Sequence, residues 1–364
     1  MSETKHHSTT DQKFWKTVRE DFRDEDPIST LKRDFNELRE FYLSDDQKAR
    51  LNQVGWFKKT IFLSWWLIKI LFLRLTSTRR LLLLIGVFLL LISRNVGSNN
   101  NGLLILGGLA LLFVLMLELK DKLLARHELA EGHAIQEALM PERQPEVNGW
   151  DIWMFTRPAN DVGGDLLDFQ IIEENKFALA IGDVVGKGLG AALFMAKLQA
   201  TLRALAPDYD SLSDFGKKIN QIFYRDSLPN SFASLVYLNI ASDTNKVQLI
   251  NAGHSPPLLI TDHQIKEMQK GSPALGILAD EKFVEEELLL KKGDMLIVYS
   301  DGLIDARNEK GEFFGEQRFH NLLPNLKNKS AQEIGSHILV EVEKFIGTSP
   351  AYDDLSLIIL KRKN

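Results

Sequence analysis

Aspartates stand at the ends of apolar, strand-like runs in this chain, several of them beside glycine. Asp165 closes Gly163-Gly164-Asp165 and leads into Leu166-Leu167-Asp168-Phe169. Asp183 follows Phe177-Ala178-Leu179-Ala180-Ile181-Gly182 and opens Val184-Val185-Gly186-Lys187-Gly188. Asp301 lies between Met295-Leu296-Ile297-Val298-Tyr299-Ser300 and Gly302, and Asp353-Asp354 precede Leu355-Ser356-Leu357-Ile358-Ile359-Leu360. Carboxylates delivered from separate strand ends make a donor set for a hard cation. Mg²⁺ or Mn²⁺ takes oxygen ligands, keeps several waters and wants carboxylates on a rigid frame. The chemistry this predicts is metal-assisted hydrolysis, with a phosphate ester as the natural substrate.

Each position also has a plainer reading. The segment from Asp183 to Ala192 reads as strand, glycine-rich turn and helix. A helix N-terminus beside Lys187 and Gly188 suits a phosphate, but a purely structural glycine turn has the same outline. It is not a P-loop, because Gly188 stands where Ser or Thr would bind Mg²⁺. In Asn251-Ala252-Gly253-His254, the imidazole could shuttle protons or hold a metal; shaping the loop through hydrogen bonds is the blander role. Asp305 could cap the turn that follows Asp301, and Asp353-Asp354 could be an ordinary turn. Paired carboxylates there would repel unless a cation or a hydrogen-bond network were present.

Positioning these residues takes a mixed domain over about residues 142–364. Strand-like runs occur at Phe177–Ile181, Phe232–Ile240, Val247–Asn251, Pro257–Ile260, Glu286–Leu290, Met295–Tyr299 and Leu355–Leu360. Helical patterns occur at about Leu189–Leu205, Leu212–Ser227, Gly315–Leu323 and Ala331–Phe345. Many strands follow one another without a helix between them, which predicts an α+β fold of antiparallel sheets flanked by helices. The chain has 364 residues, no cysteine and a formal net charge of −5. Those values exclude disulfides, Cys-ligated zinc, a cysteine nucleophile and the basic footprint of a nucleic-acid binder.

Residues 1–56 are polar and read as a cytosolic, partly helical arm, with Leu31, Phe35, Leu38 and Tyr42 at helical spacing and a second start at Ser44. The first apolar run comes too late for a signal peptide. Residues 57–119 read as a membrane region. An interfacial helix is expected at 57–75, where Trp65 and Trp66 sit among Lys58, Lys59, Lys69 and Arg74. Spanning helices are expected at about 79–94 and 101–119, around the apolar runs Leu81–Ile92 and Gly102–Leu117. Each run is shorter than the roughly 20 residues of a bilayer span, so a buried hairpin of a soluble protein competes. Neither run has a polar face, however, and Arg74, Arg79 and Arg80 before the pair match Lys120, Lys122 and Arg126 after it. That pattern puts both ends in the cytoplasm. Residues 120–141 read as a helix leaving the membrane and stopped at Pro141. Its stripe of Ala134, Ile135, Ala138 and Leu139 either docks on the next domain or pairs two protomers into a homodimer.

The stretch from about Glu128 to Lys361 resembles the PP2C-type serine/threonine phosphatases of the bacterial RsbU-like and SpoIIE-like branch. The matching motifs run in family order: Ile135-Gln136 through Met140-Pro141, Pro158-Ala159 through Asp165, Gly182 through Gly188, Asn251 through His254, Ser300-Asp301-Gly302 and Asp353 through Ser356. The resemblance implies an α-β-β-α sandwich of two mostly antiparallel sheets with two Mn²⁺ or Mg²⁺ ions at its rim. It implies that Asp183 bridges both ions, that the Val184 carbonyl joins one, and that Asp301 and Asp353 complete the other site. Asp165 would act through bound water, and Asp354 is the alternative to Asp353. Asp183, Asp301 and Asp353 are then the catalytic set for phosphoserine and phosphothreonine hydrolysis.

The apolar runs and their basic flanks lead to the expectation of a membrane location with the phosphatase domain cytoplasmic; the resemblance implies a bacterial inner membrane, a signalling role and a phosphoprotein substrate such as an anti-sigma-factor antagonist. An inactive membrane scaffold that binds phosphoproteins is the alternative, and a small-molecule phosphatase a weaker one. Departures concern the proton donor. Val185 stands where animal and plant relatives carry His, Lys187 where many bacterial relatives carry His or Asn, and Leu166-Leu167 replace an aromatic pair.

Overall fold

A computed structural model of the chain describes residues 56–95, 101–141, 144–226, 231–261 and 264–363. The helices expected around Leu31–Tyr42 and after Ser44 lie outside the described residues, as does most of the polar turn before Asn101. The chain falls into two compact units, Met1–Lys122 and Leu123–Asn364.

The first unit holds helices α1 (Trp56–Arg74) and α2 (Ser77–Asn95) and the start of α3 (Asn101–Leu139). Gly86 and Gly107 let α2 and α3 approach closely: a Cβ on Gly107 would sit 2.9 Å from the Gly86 carbonyl oxygen. Arg79 ties the same two helices together, reaching Glu118 and Asp121 at 2.6 Å each. Arg80 donates to the carbonyls of Phe72 and Leu73 at the end of α1. Large apolar side chains, among them Leu81, Phe88, Leu91, Leu104 and Phe113, remain exposed. Among the described residues one helix, α3, is long and apolar enough to cross a membrane. The helix expected at 79–94 forms as α2, but Arg79, Arg80 and Arg94 lie within it. The segments expected at 101–119 and 120–141 are one helix, which runs unbroken to Leu139.

The second unit is a four-layer sandwich. One sheet has the strand order β1-β10-β9-β6-β7, from β1 (Trp150–Arg157), β10 (Leu355–Arg362), β9 (Met295–Tyr299), β6 (Leu258–Ile260) and β7 (Ile265–Glu267). The other has the order β2-β3-β4-β5-β8, from β2 (Leu166–Glu173), β3 (Lys176–Val184), β4 (Ala233–Ala241), β5 (Lys246–Ala252) and β8 (Glu285–Leu289). Every pairing is antiparallel. Helices α4 (Leu189–Leu205) and α5 (Leu212–Asp226) cover the second sheet, while α7 (Gly315–Leu322) and α8 (Ala331–Ile346) cover the first. The short α6 (Asp301–Ile304) follows β9. This is the α-β-β-α architecture expected above.

The alternation of strand side chains explains why the central strands read as unbroken apolar runs. In β10, Ile358 and Leu360 enter the core between the sheets, with Trp150, Leu179, Ile181, Val236 and Val298. Leu357 and Ile359 instead meet Phe319, Ile338 and Val342 beneath the helices. In β3 the outer positions are Ala178 and Ala180, small enough for α4 to lie close against the sheet. β1, β2 and β7 go beyond the expected strands, and α6 occupies what reads as a bare glycine turn.

Helix α8 starts in a capping box: Ser330 Oγ accepts from the Glu333 amide at 3.3 Å, and Glu333 Oε2 accepts from the Ser330 amide at 2.8 Å. Its Gly335 faces the buried Trp153 ring so closely that an added Cβ would run into it. Gly335→Ala should therefore destabilise the domain by about 1–3 kcal/mol through overpacking, despite the better helix propensity of alanine. A urea denaturation midpoint at or above the wild-type value would show that α8 can slide without cost.

Candidate active site

Three strand ends converge on one cleft. β3 delivers Asp183 and Val184, β9 runs through Ser300 into Asp301 at the start of α6, and Asp353 stands just before β10. The cleft has a volume of about 410 Å³, and Lys187, Ser234 and His254 also line it. Glycines permit the close approaches. A Cβ on Gly182 would lie 2.6 Å from the Ser234 carbonyl oxygen, and one on Gly302 would collide with the Asp354 carbonyl. Gly186 and Gly188 have φ of 113° and 73°, left-handed conformations that carry the chain from β3 into α4. Gly188 itself does not line the cleft wall.

Serines fix the carboxylate-bearing ends. Ser300 Oγ donates to the Asp354 carbonyl at 3.1 Å and accepts from the Ser356 amide at 2.8 Å, locking Asp301 to Asp353 through the backbone. Ser234 Oγ accepts from the Asp183 amide at 3.3 Å and contacts His254 Nδ1 at 2.8 Å. The His254 amide donates to Asn251 Oδ1 at 2.9 Å, and Asn251 Nδ2 donates back to the His254 carbonyl at 3.1 Å. His254 thus shapes the loop while its ring stands in the cleft wall. Burial pushes its pKa down to about 4, so the ring is neutral at pH 7; the backbone at Tyr299 opposes this only in part. Among the described residues, no hydrogen bond of good geometry reaches its buried Nε2.

The paired aspartates divide their work. Asp353 lines the cleft, whereas Asp354 turns away and accepts backbone N–H groups from Ala159 at 2.7 Å, Gly164 at 2.6 Å and Asp165 at 3.3 Å. Both oxygens of Asp354 are engaged in holding the 158–165 loop, so of the two candidates it is Asp353 that faces the cleft. Asp165 is buried behind the cleft, where its Oδ2 accepts from Ser356 Oγ at 2.6 Å. It shares a second cavity of about 220 Å³ with Asp354 and Gln136. Gln136, near the end of α3, makes a two-way clamp on Gly163: Nε2 donates to its carbonyl at 2.8 Å and Oε1 accepts from its amide at 3.0 Å.

Sequence motifs gave no role to Ser234, Ser300 or Ser356. The only signal was the position of each next to, or across the sheet from, an aspartate. Lys187 is likewise placed differently from a free phosphate ligand. Its Nζ pairs with Asp353 Oδ2 at 3.3 Å and donates to the Tyr352 carbonyl at 3.2 Å.

The electrostatics of the site are those of crowded negative charge. The Asp183 carboxyl is pushed up to about 7, by burial first and then by the charges of Asp301, Asp353 and Asp354. Asp301 is raised by burial and by Asp353 and Asp305, and Asp165 is raised well above the usual range by burial. Among the described residues no three Asp, Glu, His or Cys side chains close tightly enough to cage a metal by themselves. An open, water-accessible ring of carboxylates is nevertheless the donor set Mg²⁺ or Mn²⁺ uses, with one or two carboxylates and several waters. The residues therefore fit a hydrated hard cation.

A carboxyl whose pKa is raised on folding stabilises the fold below its unfolded value and loses that contribution as pH rises through about 7. Added Mg²⁺ or Mn²⁺ should accordingly raise Tm more at pH 8 than at pH 5, and Asp183→Asn should flatten the difference. Equal Tm shifts at the two pH values in the wild-type chain would count against a cation held by Asp183.

Comparison with known proteins agrees with this geometry. The family described as Stage II sporulation protein E (SpoIIE) matches residues 173–363. Protein IcfG of Synechocystis sp. is 32% identical over 274 residues, 67% of this chain and 43% of that protein. Phosphoserine phosphatase RsbU of Bacillus subtilis is 28% identical over 234 residues, 63% of this chain and 68% of RsbU. The chain thus spans less than half of IcfG and about two thirds of RsbU. Among solved structures, the SiaA PP2C domain of Pseudomonas aeruginosa superposes with a TM-score of 0.59 at 19% identity, over 67% of this chain and 99% of that domain. The PP2C domain of SpoIIE from Bacillus subtilis gives 0.51 at 19% identity, over 60% of this chain and 64% of that structure. With more than half of its length matched by the family and its sandwich shared with PP2C domains, this chain belongs to the SpoIIE family of PP2C-type phosphatase domains.

Proposed function

We propose that the chain is a metal-dependent protein phosphatase that hydrolyses phosphoserine and phosphothreonine, using two Mn²⁺ or Mg²⁺ ions held by Asp183, Val184, Asp301 and Asp353, with Asp165 behind them. The observation that carries this reading is the convergence of Asp183, Asp301 and Asp353 on one open cleft with a single paired lysine. Divalent cations held there would lower the pKa of water and neutralise charge developing on the phosphoryl group. The remaining work falls to the chain itself. Ser234, Ser300 and the backbone they bind keep the carboxylates from swinging apart, and Lys187 restrains Asp353. Val185 offers no proton, Lys187 is engaged, and His254 is neutral, so the leaving-group proton comes from water or from another residue of the site. RsbU and RsbP, both named phosphoserine phosphatases, support a phosphoserine protein as the substrate class.

The test is hydrolysis of a phosphoserine peptide by the whole 364-residue chain with and without Mn²⁺. Asp183→Asn and Asp301→Asn should each lower the rate by at least about a hundredfold, the scale of losing one electrostatic stabiliser. Wild-type rates in both variants would sink the mechanism. Faster hydrolysis of nucleotides than of peptides would redirect the reading to a small-molecule phosphatase.

We also read the first unit as a membrane anchor, with α2 and α3 as a hairpin. The exposed leucines of both helices, the close glycine crossing and the length of α3 support it. A topology reporter inserted at residues 97–101 should read periplasm in a bacterial host. A cytoplasmic signal there would overturn the hairpin.

A further inference from the structure

Arg307 stands beside the cleft in a state that the catalytic assignment does not explain. Its guanidinium carbon lies 3.5 Å from the centroid of the Tyr352 ring and 4.5 Å from that of Phe313. The backbone of Arg307 also bridges Phe313 as an isolated antiparallel pair, which fixes where the side chain starts. Tyr352 directly precedes Asp353, and the same ring carries Lys187 Nζ at 5.4 Å. Two cations therefore share one aromatic ring at the edge of the cleft.

They differ in what neutralises them. Lys187 has Asp353 at 3.3 Å. Arg307 has no ion pair or side-chain hydrogen bond among the described residues, and its Nε is buried without a partner. Stacking uses the faces of a guanidinium and leaves its in-plane N–H edge free. That edge is what pairs bidentately with a carboxylate or phosphate. Nε is sealed from solvent but the two Nη atoms are not, so an anion meets the guanidinium at its Nη end.

We propose that Arg307 is a specificity-determining residue for the protein substrate: it receives a carboxylate of the segment flanking the phosphoserine, beside Asp353. The inference rests on the phosphoprotein phosphatase reading. Holding the guanidinium in place before substrate arrives removes most of the ordering cost of the pairing, which is how a single rim arginine can discriminate between peptides. Lys187 cannot serve in the same way, because an incoming carboxylate would compete with Asp353 for it.

The experiment compares two phosphoserine peptides that differ only in flanking Glu or Gln residues, using the whole chain with Mn²⁺. The wild type should show a KM about tenfold or more lower for the acidic peptide, the scale of one charge-assisted hydrogen-bonded pair. Arg307→Ala should abolish that preference, Arg307→Lys should keep part of it, and Arg307→Glu should reverse it toward a peptide with flanking Lys. A reversal cannot come from misfolding. No preference in the wild type, a preference that survives Arg307→Ala, or equal losses on both peptides would each overturn the inference. Binding of the two peptides to Asp183→Asn, followed by fluorescence anisotropy, reads the same ratio without turnover. A wild type that hydrolyses neither peptide would therefore refute the phosphatase reading while the binding ratio still judged Arg307.

Discussion

Like charges crowded into one cleft are the constraint to which the rest of the domain answers. The charges of Asp301 and Asp353 raise the proton affinity of Asp183, that of Asp353 raises Asp301, and among the described residues Lys187 is the cation paired with Asp353. Left on flexible loops, such carboxylates would splay into solvent. Here each sits within a residue or two of a strand buried on both faces, so separation would require moving the core. The two sheets supply stiffness and the serines supply register. The repulsion that remains is stored where a cation can relieve it.

Binding the charges to the core explains why so much of the fold is visible in the amino-acid order. The runs that became β3, β4, β9 and β10 are apolar at nearly every position because both of their faces are covered. β1 is harder to see, since Asp151 interrupts Trp150-Asp151-Ile152-Trp153; that carboxylate is engaged with the Ala331 amide at 2.8 Å. β2 hides for a related reason. Asp168 looks like a surface residue but is buried, held by Arg203 at 2.6 Å and Gln199 at 3.0 Å. Charges buried with distant partners defeat local pattern reading, because the partner lies far along the chain.

The same limit applies to the site. Asp183 and Asp301 announce themselves through strand and glycine context. Asp353 and Asp354 cannot be separated that way, as both are acidic and adjacent; what separates them is that Asp354 meets the backbone of the 158–165 loop. Arg307 carries no motif and becomes conspicuous only through the two rings against it and the absence of a counter-ion among the described residues. Near the first unit, residues 101–119 and 120–141 differ in polarity and so read as separate segments, yet helix propensity is indifferent to that change and the backbone continues through it.

Asp354 joins residues nearly two hundred positions apart, since it grips Ala159 and Gly164 from the threshold of the last strand. β10 also lies between β1 and β9, in the interior of its sheet. During synthesis, then, every earlier element leaves the ribosome before the strand that closes the sheet and secures the 158–165 loop. A nascent chain lacking that strand has an open sheet and unpaired carboxylates, and its assembly depends on contacts of very long range, which form slowly. The cleft and the 158–165 loop are therefore complete only once β10 has taken its place between β1 and β9.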